Sequence, residues 1–234
     1  MFLRAALEPC AHAVRRQRLA QAAAHQRVVR TGAILRAQRA AEWEQRLGAR
    51  VAAVISNRAD AGGLQIARAQ GVATEVVDHR DYPDRPAFDA ALSQSIDRYQ
   101  PDLVVLAGFL RVLTPPCVER YEGRMINIHP SLLPAFPGMH AVRDALAYGV
   151  KVTGCTVFLV DAGTDTGPVI AQAAVPVRED DGEASLHERI KVTERALLVD
   201  TVGRMVRDGW SVQDRVVRIG RQEAGHAATK SVSR

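Results

Sequence analysis

The sequence predicts an α/β fold, a mostly parallel sheet flanked by helices. Short apolar runs, such as 51–56 and 103–107, suit strands buried on both faces. They alternate over short loops with segments whose apolar residues recur at helical spacing, the pattern of βαβ units with right-handed crossovers. A third observation places a site. The run 125–128 breaks into the loop His129-Pro130-Ser131-Leu132-Leu133-Pro134, and open α/β sheets bind ligands beyond the carboxyl ends of their strands.

The bulk numbers set limits. A chain of 234 residues can build one sizeable α/β core. Apolar residues make up 47% and charged residues 24%, and no apolar run reaches membrane-spanning length. The net charge of +5 is concentrated at one end: residues 1–50 hold 10 Arg against 3 Glu, and the remainder is near neutral. The body therefore lacks the basic surface that nucleic-acid binding needs. Cys10, Cys117 and Cys155 are odd in number and have no metal-ligand spacing, which predicts reduced thiols in a cytoplasm.

Taken in order, residues 1–32 are rich in Arg and Ala, contain no Ser and lack the apolar stretch of a secretory signal. They read as an extension, disordered or loosely helical. Residues 33–47 have helical spacing and stop at Gly48. A strand over 51–56 follows, then a helix over 64–69 closed by Gly71, and a strand over 72–77. Phe88, Ala91, Leu92, Ile96 and Tyr99 mark a helix over 88–99. Next come a strand over 103–107 ending at Gly108, a short helix over 115–121 with Pro at its start, and a strand over 124–128. A helix over 140–148 precedes two runs, 150–160 and 169–177, that can pair antiparallel around the Asp-Gly loop 161–168. A long helix over 183–207, a weak strand over 215–219 and a polar tail complete the chain. The division is thus an extension at 1–32, one domain at 33–209 and a tail at 210–234.

Chemistry gathers at strand ends. Asn127 offers an uncharged N–H donor to a developing oxyanion, His129 can donate a proton near neutral pH, and Asp165 can support the imidazole. Together they fit acyl transfer to an amine through a tetrahedral intermediate. Ser131 lacks a Gly-x-Ser-x-Gly elbow, which favours direct transfer over a covalent acyl-enzyme. Asp161 and Asp165 can equally be turn-shaping residues. His129, His140 and Asp165 do not have zinc-ligand spacing.

These residues resemble a known family. Asn127-x-His129-Pro130-Ser131-Leu132-Leu133-Pro134, then Pro137-Gly138-x-His140, then Asp161-x-Gly163-x-Asp165-x-Gly167-Pro168 are similar to the folate-dependent formyltransferases. The stretches 55–61 and 106–113 also match, and the likeness runs from about 33 to 209. It implies the Rossmann-like formyltransferase fold and transfer of a formyl group from 10-formyltetrahydrofolate, as co-substrate, to the amine of glycinamide ribonucleotide in purine (IMP) synthesis. It implies Asn127, His129 and Asp165 as the catalytic set. It assigns Leu110, Arg111, Val112, Leu113, Val160 and Asp161 to the folate, and Glu194, His140 and Gly108 to the ribonucleotide. Small molecules would be the partners of a cytoplasmic monomer or homodimer, with no metal, nucleic acid or membrane. Formyltetrahydrofolate deformylase and a catalytically inactive remnant stand as alternatives.

Two departures qualify the likeness. The family opens with a strand and a Gly-x-Gly-Ser-Asn phosphate loop, whereas Gln26-Arg27-Val28-Val29-Arg30-Thr31-Gly32 stands there. The expectation is that the first strand is missing or replaced and that activity is impaired. Phe158 stands where the family usually has His, and packs in the core or lines the folate pocket on this reading.

Overall fold

The computed structural model describes residues 17–23, 28–109 and 111–220. Seven strands make one sheet: β1 (Gln17–Ala23), β2 (Ala49–Ser56), β3 (Ala73–Val76), β4 (Leu103–Ala107), β5 (Met125–His129), β6 (Val152–Leu159) and β7 (Val169–Pro176). Their order across the sheet is β3-β2-β1-β4-β5-β6-β7. The first five run parallel, β6 is antiparallel to β5, and β7 is antiparallel to β6. The helices are α1 (Val28–Ala40), α2 (Trp43–Leu47), α3 (Gly62–Ala69), α4 (Arg85–Asp97), α5 (Pro115–Arg120), α6 (Ala141–Tyr148) and α7 (Glu183–Asp208). A small hairpin, β8 (Trp210–Gln213) and β9 (Val216–Ile219), follows.

The sheet separates two cores. On one face Ile34, Leu35, Leu64, Val142, Ile190 and Val202 bring α1, α3, α6 and α7 against Leu103, Val105, Ile126 and Ile128. On the other, Phe88, Leu92, Ile96, Cys117 and Val118 bring α4 and α5 against Val104, Leu106 and Met125. Each large apolar side chain fully buried this way contributes roughly 1.5–3 kcal/mol. Because side chains alternate along a strand, Asn127 and His129 share the Met125 face, the α4/α5 side.

Most elements lie where the sequence predicts them. The N-terminal reading is corrected. Residues 17–23 are not a loosely helical extension but β1, which takes the central slot between β2 and β4, and residues 28–32 already belong to α1. The first strand is therefore replaced rather than missing. Gln, Ala and Leu dominate this strand and favour helices in isolation, so propensity gives no strand signal; pairing on both edges overrides it. The helix predicted over 33–47 is broken into α1 and α2 by Glu42, whose φ of 49° is left-handed. The strand β8 was also not predicted from the sequence; Trp210 anchors it by donating from Nε1 to the Gly123 carbonyl at 2.7 Å.

Candidate active site

The loop after β5 is fastened from two sides. Buried Thr156 of β6 donates from Oγ1 to the Ser131 carbonyl at 2.7 Å and accepts from the Leu133 N–H at 3.0 Å. Gln172 of β7 donates to the Leu133 carbonyl at 2.8 Å and to Thr156 Oγ1 at 3.0 Å. The antiparallel pair β6–β7 thus acts as a clamp on the chain that leaves the parallel sheet. Ser131 is fully buried and donates to the Ala135 carbonyl at 2.5 Å, so its hydroxyl is closed to solvent and committed to the loop.

Asn127, His129 and Asp165 converge. Asn127 Oδ1 accepts the Ile128 N–H at 2.9 Å, which leaves its Nδ2 amide as the group it can offer the cavity. His129 is 6% exposed. Its Nε2 lies 2.8 Å from the Phe136 carbonyl, which can only accept, so Nε2 carries hydrogen. Its Nδ1 lies 3.3 Å from Asp165 Oδ2. At that distance the carboxylate faces the ring nitrogen directly. Asp165 Oδ2 also accepts the Gly138 N–H at 2.8 Å. One carboxylate therefore ties the Asp-Gly loop to the proline loop and to the histidine.

The Asp-Gly loop is shaped by its own chemistry. Asp161 Oδ1 accepts from Gly163 N at 3.1 Å and from Thr166 Oγ1 at 2.7 Å, a turn-shaping role. Asp165 has φ of 56°, a left-handed conformation that Asp tolerates better than most residues. At Gly167 a Cβ would fall 1.6 Å from the Leu159 carbonyl oxygen, so only glycine lets the loop close on the end of β6.

A cavity of about 350 Å³ lies over the carboxyl ends of β4 and β5. Its lining includes Asn127, His129 and Asp165. Gly108, Arg111, Val112, Leu113, Val160 and Asp161 also face it; Leu110 falls outside the described residues. Phe158, opposite Asn127 across the β5–β6 pair, is 2% exposed and lines the cavity too. His140 is exposed at the start of α6 and does not line it.

His187 of α7 lines the cavity without having been marked by the sequence, and Arg30 of α1, from the stretch that stands where the phosphate loop is expected, lines it as well. Arg30 is buried and forms an ion pair with Glu194, which is 1% exposed and stands behind the lining rather than in it. Glu194 Oε2 finds no hydrogen-bond partner among the described residues. His187 precedes Glu194 by seven residues, two turns along one helix face, and that spacing is the signal that could have found it. Cys155 is no nucleophile candidate: burial pushes its thiol up to about 12, and the Glu194 charge adds to the shift. Among the described residues no cluster of His, Cys, Asp or Glu can hold a metal ion.

Residues 26–202 match the formyl transferase family. The chain is 52% identical over 174 residues to phosphoribosylglycinamide formyltransferase of Mycobacterium tuberculosis H37Rv, covering 74% of this chain and 80% of that protein. It is 48% identical over 147 residues to the enzyme of the same name from Escherichia coli K12, covering 63% and 69%. Among solved structures, glycinamide ribonucleotide transformylase 1 from Symbiobacterium toebii superposes with a TM-score of 0.81 at 44% identity, covering 88% of this chain and 94% of that one.

Proposed function

The chain belongs to the formyl transferase family, and from that premise we propose that it transfers the formyl group of 10-formyltetrahydrofolate to the primary amine of glycinamide ribonucleotide, a step of purine (IMP) synthesis. The observation that carries this reading is the convergence of Asn127, His129 and Asp165 on one cavity with an apolar wall. Val112, Leu113, Val160 and Phe158 supply a surface for a flat heterocycle, and Arg111 and Asp161 supply polar contacts at its edge. Glu194, Gly108 and His140 stand as the candidates for the ribonucleotide, with Leu110 as a further candidate beside the folate.

The reaction follows from these groups. The amine nitrogen attacks the formyl carbon, a C–N bond forms, and the carbonyl electron pair moves to oxygen. Asn127 Nδ2 donates to that oxyanion. His129, whose Nδ1 faces the Asp165 carboxylate, stabilises the same charge, and exchanging the Phe136 carbonyl for the formyl oxygen lets Nε2–H donate to it. Collapse of the intermediate breaks the bond to the folate nitrogen. The proton lost by the amine goes to that leaving nitrogen through water beside Asp165. Products are the formamide and tetrahydrofolate, and no side chain becomes acylated. Partners on this reading are small molecules in a cytoplasmic setting.

The test is an assay with purified protein, 10-formyltetrahydrofolate and glycinamide ribonucleotide. Tetrahydrofolate should form in step with the formamide and depend on the ribonucleotide. Formate release at the same rate without ribonucleotide would replace the reading with hydrolysis.

A further inference from the structure

We propose that Asp89 and Phe88, neighbours on α4, are positioning residues that fix the loop segment 111–114 in the shape that receives the folate. The proposal rests on the folate reading of that wall. Neither side chain lines the cavity, yet between them they hold the two ends of the loop that does.

Asp89 is 2% exposed, and its Oδ2 accepts the backbone N–H of Thr114 at 2.6 Å. Thr114 is the residue where the loop ends and α5 begins. Asp89 Oδ1 finds no hydrogen-bond partner among the described residues. Burying a carboxylate with one oxygen unsatisfied costs stability that an apolar side chain of the same size would not. Packing therefore does not explain an acid here; restraint of Thr114 does.

Phe88 serves the other end. The Arg111 guanidinium carbon lies 5.3 Å above its ring centroid, a cation–π contact. The ring is wedged edge-on by Tyr82, at 6.0 Å, and by His79, at 6.4 Å, so it is a rigid base. Arg111 Nε is buried without a hydrogen-bond partner among the described residues, which leaves the ring face to set the plane of the guanidinium. Asp84 caps α4 by accepting the Ala87 N–H at 2.8 Å, immediately before Phe88. One capped helical turn thus spans the loop from Arg111 to Thr114, and Arg111, Val112 and Leu113 between these anchors face the cavity.

The experiment measures binding of tetrahydrofolate and of glycinamide ribonucleotide separately, by calorimetry on the full chain, together with amide exchange at Thr114 without ligand. Asp89→Ala and Phe88→Leu should each weaken tetrahydrofolate about tenfold and leave ribonucleotide affinity within about twofold. Asp89→Asn keeps an acceptor for Thr114 and should stay within about threefold of the parent for tetrahydrofolate. Thr114 exchange should rise in Asp89→Ala alone among the two Asp89 variants. Equal loss of both ligands, unchanged tetrahydrofolate affinity in Asp89→Ala, or an Asp89→Asn as weak as Asp89→Ala would overturn the proposal. If the parent protein bound no tetrahydrofolate, the folate reading would fall, while exchange at Thr114 would still decide whether Asp89 restrains the loop.

Discussion

Asp165 makes two contacts with one oxygen, to His129 Nδ1 and to the Gly138 N–H. Asp165→Asn separates them: an amide oxygen still accepts from Gly138, but the negative charge facing His129 is gone. On the proposed mechanism kcat should fall by about a hundredfold or more, with KM for both substrates changed less than about threefold. Steady-state kinetics decides it, and a loss carried by KM would assign Asp165 to loop shape instead. The residues of this centre were legible because their spacing is itself geometry. Asn127 and His129 are two apart on a strand and so share a face. Arg30 was visible in the sequence only as a charge in the stretch that replaces the phosphate loop; its place in the cavity lining was not, because it arrives from a helix packed on the opposite face of the sheet. His140 belongs to the same stretch of sequence as the centre, yet its side chain lies exposed beyond the lining.

At the scale of elements, α7 starts on a polar knot. Asp181 accepts from both terminal nitrogens of Arg189, at 2.7 and 2.6 Å, from the Arg178 N–H at 2.8 Å and from Ser185 Oγ at 3.0 Å. The Arg189 guanidinium first, and the Arg178 N–H second, hold the Asp181 carboxyl well below the usual carboxylate range. The folded value is depressed, so its stabilisation is complete above the unfolded value of about 3.9 and is lost as pH falls through the folded one. The urea midpoint of the parent should therefore exceed that of Asp181→Asn by a constant amount above about pH 5 and converge on it in acid. A gap unchanged down to about pH 2 would show that the charge is not what stabilises. The long helix itself was plain in the sequence, since its apolar positions repeat over many turns. The first strand was not, because Gln17–Ala23 carries no β-branched or aromatic residue and is a strand by virtue of its neighbours.

For the molecule as a whole, the order β3-β2-β1-β4-β5-β6-β7 makes that least strand-like segment the middle of the parallel sheet. Native-state hydrogen exchange tests it: amides of 19–23 should exchange as slowly as those of 103–107, their partners. Fast exchange over 19–23 beside slow exchange over 103–107 would remove β1 from the sheet. The fold class was legible because alternation of buried runs and helices fixes it. The exact membership of the sheet was not, because pairing is a non-local property that local composition does not encode. The same pairing has a consequence for synthesis. Leu19 to Ala23 lie against Leu103 to Ala107, more than eighty residues later. During translation the first strand therefore waits for its second partner until residues 103–107 have been made. The interval before residue 107 emerges is when a nascent chain could pair this open edge with a stranger, so yield on expression should depend on what shields the growing polypeptide more than on the stability of the finished one.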